Sequence, residues 1–194
     1  CIINMSSLEK IINDAWEIKD KIKPDSDKNL NDVIKEMIDN LNEGKISIAE
    51  PQGNDWKINE WIQKGILLSF RINKRKIIGG PYNAWNDLEH LPGKTANWTE
   101  KDFEKAGFRM VPNCVVRNGS FIGKGAIIMP NAFLNIGSHC GERSMVDGGA
   151  RLGSGSFLGN DCHLSGGAAL GGILEPVGSR PTIIEDSTFI GACS

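Results

Sequence analysis

The stretch VDGGARLGSGSFLGNDCHLSGGAALGG, residues 146–172, decides how the whole chain is read. It is crowded with glycine and has no helical pattern. An aliphatic residue nevertheless returns at every sixth place: Val146, Leu152, Leu158, Leu164 and Leu170. The same register runs back through Met110, Val116, Ile122, Ile128, Leu134 and Cys140. Two places before each, from Ser120 onward, stands a small residue: Ser120, Ala126, Ala132, Ser138, Ser144, Ala150, Ser156, Cys162 and Ala168. Glycine often follows the apolar position, at Gly123, Gly141, Gly153, Gly159 and Gly171.

A period of six fits neither a helix face nor strand alternation. It fits a parallel β-helix of hexapeptide repeats, each repeat forming one flat side, with three sides closing a coil. The aliphatic side chain points into the prism and the small one packs inside near a corner. Glycine after the apolar position is expected to serve a cramped turn at unusual backbone angles. The register breaks after Leu170, and GGILEPVGSRP (171–181) reads as a loop thrown out from one corner. The pattern resumes, shifted by two, at Ile184 and Ile190. An uncapped solenoid end would expose strand edges, so the chain is expected to be a fragment whose solenoid continues past Ser194.

The 194 residues are 40% hydrophobic and 24% charged, with a formal net charge of -2. That balance gives no basic field for nucleic acid, and no apolar run approaches a membrane span. Lys74-Arg75-Lys76 is the one basic cluster, expected as a solvated turn. Cys1, Cys114, Cys140, Cys162 and Cys193 show neither CxxC pairing nor zinc spacing, which suits a reduced, cytoplasmic setting. Cys1–Asn4 precede Met5 and read as a cloning or reading-frame remnant, too short for a signal peptide.

The first half has a different texture. Leu8, Ile11, Ile12, Ala15, Ile18 and Ile22 keep a helical period, with Ser6 and Glu9 at capping-box spacing and Pro24 as terminator. A second helix begins near Asp27 to Asn29, carries Leu30, Val33, Ile34, Met37, Ile38 and Leu41, and is capped by Gly44. Ile46 and Ile48 alternate like a short strand. NEWIQKGILLSFRIN (59–73) predicts another helix and KII (76–78) a brief strand. Residues 79–98 read as a connector, and Thr99 with Asp102 predicts a short helix ending at Gly107. The expected division is residues 5–98, a helical domain and connector, and residues 99–194, the β-helix.

Several segments together are more specific than the repeat. LLSFRIN (67–73), GFRMVP (107–112), SMVD (144–147), HLSGG (163–167), GGILEP (171–176) and PTIIEDSTFIGA (181–192) resemble the tetrahydrodipicolinate N-succinyltransferases. The resemblance covers nearly the whole chain from Met5. It implies a mainly β protein, a left-handed β-helix with a helical N-terminal domain, assembled as a homotrimer with sites between neighbouring prisms. It implies transfer of succinyl from succinyl-CoA, as co-substrate, to the amine of L-2-amino-6-oxopimelate, with no metal or prosthetic group.

The acceptor carries two carboxylates and an amine. Its site needs a guanidinium to hold a carboxylate and an acceptor group to orient or deprotonate the ammonium. The resemblance places Arg109 as the substrate-binding arginine, Asp147 as the substrate-binding and catalytic aspartate, and Gly172 and Ala192 on the coenzyme. Met110 and Val146 differ by two full coils, so Arg109 and Asp147 should share a face about 10 Å apart along the axis. From the residues alone, Arg109 also suits a cap on the solenoid, Asp147 a tight turn, and Gly171-Gly172 an exit from the prism. His163 is expected to be structural or a loop contact. A zinc site joining His139 and His163 has no convincing third ligand, because His90 lies in the connector. Two departures stand out: Gly148-Gly149 replace the family's Thr-Trp, and the chain stops one residue before an expected glutamate. Two other readings stay open: an acetyl-CoA-dependent hexapeptide acyltransferase with His163 as base, and a non-catalytic β-helix.

Overall fold

Ile122, Cys140, Leu158 and Ile184 lie in one register column of a parallel sheet, each pairing with a residue one coil away. The computed structural model describes residues 5–24, 27–80, 83–91 and 93–194; the Cys1–Asn4 leader lies outside them. From Arg109 onward the chain is a left-handed parallel β-helix of two-residue strands. One face is built from the strands at 121–122, 139–140, 157–158 and 183–184. A second comes from 109–110, 127–128, 145–146, 163–164 and 189–190. The third comes from 115–116, 133–134, 151–152 and 169–170. In the strands from 115–116 through 169–170 the first residue points outward and the second is buried. The stacked column of Ile128, Leu134, Cys140, Val146, Leu152, Leu158 and Leu164 is wholly removed from solvent. Each such aliphatic side chain contributes about 1.5–3 kcal/mol.

The small column packs inside as expected, with Ser120, Ala126, Ser156 and Ala168 fully buried. The glycines after the apolar position have a different purpose from the one expected of them. Gly123, Gly141, Gly153 and Gly159 are not among the residues with positive φ. They sit where consecutive coils touch: a Cβ on Gly141 would be driven into the Gly159 backbone, and one on Gly153 into Gly172. The left-handed corners form a separate column three places after the apolar residue. It includes Asn113, Gly119, Gly125, Asn131, Gly137, Arg143, Gly149, Gly155, Asp161 and Gly167. Glycine and Asn/Asp dominate it because they tolerate that conformation.

The N-terminal region packs helices α1 (Met5–Glu17), α2 (Lys28–Asn42) and α3 (Glu60–Ile72) around Leu8, Ile12, Ile34, Met37, Ile62 and Ile66. The helix is already formed at Met5, so Ser6 lies inside its first turn and is not its cap. It also ends at Glu17 rather than running to Ile22; a 3-10 turn over Lys19–Lys21 returns Ile22 to the core and leaves Ile18 53% exposed. Asp27 caps α2, accepting from the Leu30 N–H at 3.1 Å. At its other end Gly44 is left-handed, and the Gly44 and Lys45 N–H groups close onto the Leu41 and Asn40 carbonyls.

Ile46 and Ile48 are buried, but the strand starts just after them. Strand β1 (Ala49–Gln52) forms a hairpin with β2 (Asp55–Ile58). Strand β3 (Arg75–Gly79) pairs with β4 (Ala84–Leu88), so Arg75 and Lys76 open a strand and do not make a turn. Part of the expected connector is therefore ordered sheet. Helix α4 (Glu100–Ala106) has the capping box of Thr99 and Asp102 and ends at left-handed Gly107. No helix among the described residues is long and apolar enough to cross a membrane.

The two regions share a seam. Ile136 of the solenoid is buried in the helical core, and the Gly119, Gly137 and Gly155 corner lies against Ile38, Ile48 and Ile66. The excursion after Leu170 is held to the same region. Gln63, fully buried, accepts from the Gly178 N–H at 2.8 Å and donates to the Ser179 carbonyl at 2.9 Å. The chain then rejoins the stack, Phe157 pairing with Ile183.

Candidate active site

Parallel pairing at coil intervals puts Arg109, Ile127, Met145, His163 and Phe189 into one outward column on the second face. Arg109 opens that column and is exposed. Coils stack at about 4.8 Å, so Arg109 lies about 10 Å along the axis from the layer of Met145. The register inferred for Arg109 and Asp147 is therefore present: Asp147 follows Val146, two coils on from Met110.

Asp147 stands at the corner that closes this face. Its Oδ1 accepts the Gly148 N–H at 2.7 Å, and its Oδ2 lies 3.1 Å from Nε2 of His163. The Gly148 N–H and, after it, the His163 side chain hold the Asp147 carboxyl below the usual carboxylate range. At neutral pH the group is thus an anion. Such a carboxylate binds an ammonium by charge-assisted hydrogen bonds and is a weak proton acceptor. Because ionised carboxylate only accepts, Nε2 of His163 must be the protonated nitrogen.

The same corner recurs in successive coils. The Gly149 N–H bonds the Pro130 carbonyl, the Gly167 N–H the Gly148 carbonyl, and the Cys193 N–H the Gly166 carbonyl. This ladder sets Ala192, between Ile190 and Cys193, on the corner of Asp147. Gly172 lies at a different corner, after the third face, pressed against Gly153 and Ser154. The Gly148-Gly149 pair leaves the far side of Asp147 bare: a Cβ on Gly149 would meet nothing within 4 Å.

The structure thus brings Arg109, Asp147 and Ala192 to one face and its corner, and Gly172 to another. It adds His163, whose contact with Asp147 the sequence reading missed. The signal was available: His163 pairs with Met145, and Asp147 is two residues beyond Met145. His139 is on the first face, with its ring stacked on Phe157 at 4.2 Å, so it is not near His163. Among the described residues no cluster of three or more His, Cys, Asp or Glu is arranged to hold a metal ion.

A cavity of about 890 Å³ lies away from this face, between α2, α4 and Phe121, with Lys45, Lys94, Lys105 and Lys124 among its walls. Lys94 is half-buried there, and the desolvation pushes its ammonium down to about 8, while its Nζ donates to Asn42 O and Oδ1 at 2.9 and 3.0 Å. Those bonds tie the connector to α2.

Residues 7–72 match the family described as Tetrahydrodipicolinate N-succinyltransferase N-terminal. The chain is 52% identical over 98% of its length to the 2,3,4,5-tetrahydropyridine-2,6-dicarboxylate N-succinyltransferase of Pelagibacter ubique, covering 69% of that protein. It is 50% identical to the enzyme of that name from Brucella anthropi, covering 98% of this chain and 67% of the relative. The Paracoccus denitrificans enzyme is 44% identical, over 97% of this chain and 68% of the relative. At 44–52% identity over nearly its whole length, and with the family's N-terminal region matched, the chain belongs to the family of 2,3,4,5-tetrahydropyridine-2,6-dicarboxylate N-succinyltransferases.

Proposed function

We propose that the protein transfers the succinyl group of succinyl-CoA to the amine of L-2-amino-6-oxopimelate, the opened form of tetrahydrodipicolinate. Arg109 holds a carboxylate of the acceptor, and ionised Asp147 orients its amino group. The nitrogen lone pair attacks the thioester carbonyl, a C–N bond forms, the C–S bond breaks, and coenzyme A leaves as the thiol after taking up a proton. Ala192 contacts the coenzyme at the corner of Asp147, and Gly172 contacts it further along its arm. The working unit is a cytoplasmic homotrimer whose clefts lie between prisms. It acts on small molecules alone, without nucleic acid or membrane as a partner and without a metal or prosthetic group.

The observation that carries this reading is the shared face. An exposed guanidinium and an anionic carboxylate stand two coils apart in strict register. That spacing suits a seven-carbon diacid bearing one amine. The test is thiol release with succinyl-CoA and tetrahydrodipicolinate. Arg109→Ala should raise KM for the acceptor about tenfold or more, and Asp147→Asn should lower kcat/KM by about a hundredfold, the scale of a lost charged contact. Wild-type kinetics in both variants would remove these residues from the site.

A further inference from the structure

We propose that His163 is a positioning residue for Asp147: its Nε2–H donates to Oδ2 and fixes the carboxylate that faces the acceptor amine. The inference rests on the reading of Asp147 as the substrate-facing group, and adds what holds it there.

Three observations converge. The carboxylate is held at both oxygens from the protein side, by the Gly148 N–H on Oδ1 and by His163 on Oδ2. His163 is the one side chain to reach it among the described residues, because the following residues are Gly148 and Gly149, and the space beside Gly149 is empty. Finally, the His163 ring is itself constrained. It stacks in register between Met145 and Phe189, with Phe189 edge-on at 5.2 Å between ring centres and 72° between planes. A ring flanked by its column neighbours turns Nε2 toward Asp147. A catalytic group displaced by about 1 Å can lose about a hundredfold in rate, so this second contact carries weight.

The tautomer follows from the charge. Ionised Asp147 needs a donor, so Nε2 keeps the proton. A glutamine places its amide nitrogen near the position of Nε2, whereas an asparagine places its own near Nδ1. A leucine fills the column and donates nothing.

The experiment compares His163→Gln, His163→Asn and His163→Leu in the CoA-release assay, with Asp147→Asn and the double variant Asp147→Asn/His163→Leu alongside. Thermal melts check that each is folded. The expected result is a loss in kcat of about tenfold to a hundredfold for His163→Leu and His163→Asn, with KM for succinyl-CoA unchanged. His163→Gln should recover most of the rate. In the Asp147→Asn background His163→Leu should cost little more, because the histidine acts through the aspartate. Full activity in His163→Leu, or a loss in His163→Gln as deep as in His163→Leu, would overturn the positioning role while leaving Asp147 in place. A silent Asp147→Asn would overturn both readings.

Discussion

His139 lies flat against Phe157, ring centres 4.2 Å apart and planes 12° from parallel, with Phe121 on its other side at 4.6 Å. Its Nδ1 is sealed from solvent without a partner among the described residues, and so is Nδ1 of His90. Burial pushes each imidazole from the ordinary 6.5 down to about 4, against a smaller opposing pull from Asp186 on His139 and from Asp87 on His90. Both rings are therefore neutral in the fold at pH values where the unfolded chain binds a proton. The unfolded state holds more protons in that window, so stability rises with pH from about 4 to 6.5 and is fully present above it. Each histidine contributes a slope of at most about 1.4 kcal/mol per pH unit. Urea unfolding from pH 4 to 7 should show the combined slope, and His139→Phe should remove about half of it. An unchanged slope in that variant would contradict the account.

Two glycines should fail for different reasons. Gly141→Ala forces a methyl into the Gly159 backbone of the next coil, and should cost about 1–3 kcal/mol through overpacking. Gly149→Ala meets no atoms but must hold φ near +69, which costs about 1–2 kcal/mol. Gly149→Asn should be milder than Gly149→Ala, since Asn113 and Asn131 already occupy that column. For Gly141 the order should reverse, with Asn worse than Ala. Chemical denaturation of the four variants checks this.

Gln63 is the clamp on the excursion after Leu170. Gln63→Leu removes the partner of the Gly178 N–H and of the Ser179 carbonyl, at a cost of about 0.5–1.5 kcal/mol for each hydrogen bond lost. Amide exchange at Gly178 should accelerate well before the solenoid strands at 139–140 and 157–158 lose protection.

In the prism interior, Leu134 and Leu152 are fully buried in stacked layers. Leu152→Ala should cost about 2–5 kcal/mol, because a close-packed layer with neighbours above and below collapses poorly around a cavity. A urea titration measures it.

The solenoid was legible because its burial has a period, and burial is what side-chain chemistry records. Met110 through Leu170 declared the inner column, and Ser120 through Ala168 the packing beside it. The corner geometry was assigned to the wrong column. Gly123 and Gly141 are required by contact between coils, which one coil's sequence does not display, while the left-handed places were visible as Gly or Asn at 119, 125, 131 and 137. Strands β1 and β4 were missed because Glu50, Gln52, Asn86 and Asp87 give polar, mostly exposed ribbons without apolar alternation. At the site, Arg109 and Asp147 were singled out by the family resemblance, since the residues alone also suited a solenoid cap and a tight turn. The partnership with His163 came only from stacking one coil on the next.

The excursion between Leu170 and Ile183 separates length from architecture. Phe157 meets Ile183 as squarely as Phe121 meets His139, although more chain intervenes. What must be conserved there is the point of departure and the point of re-entry. A foreign peptide spliced between Ile173 and Val177, short of the grip of Gln63, would ride on the outside as cargo while the coils beneath it kept their count.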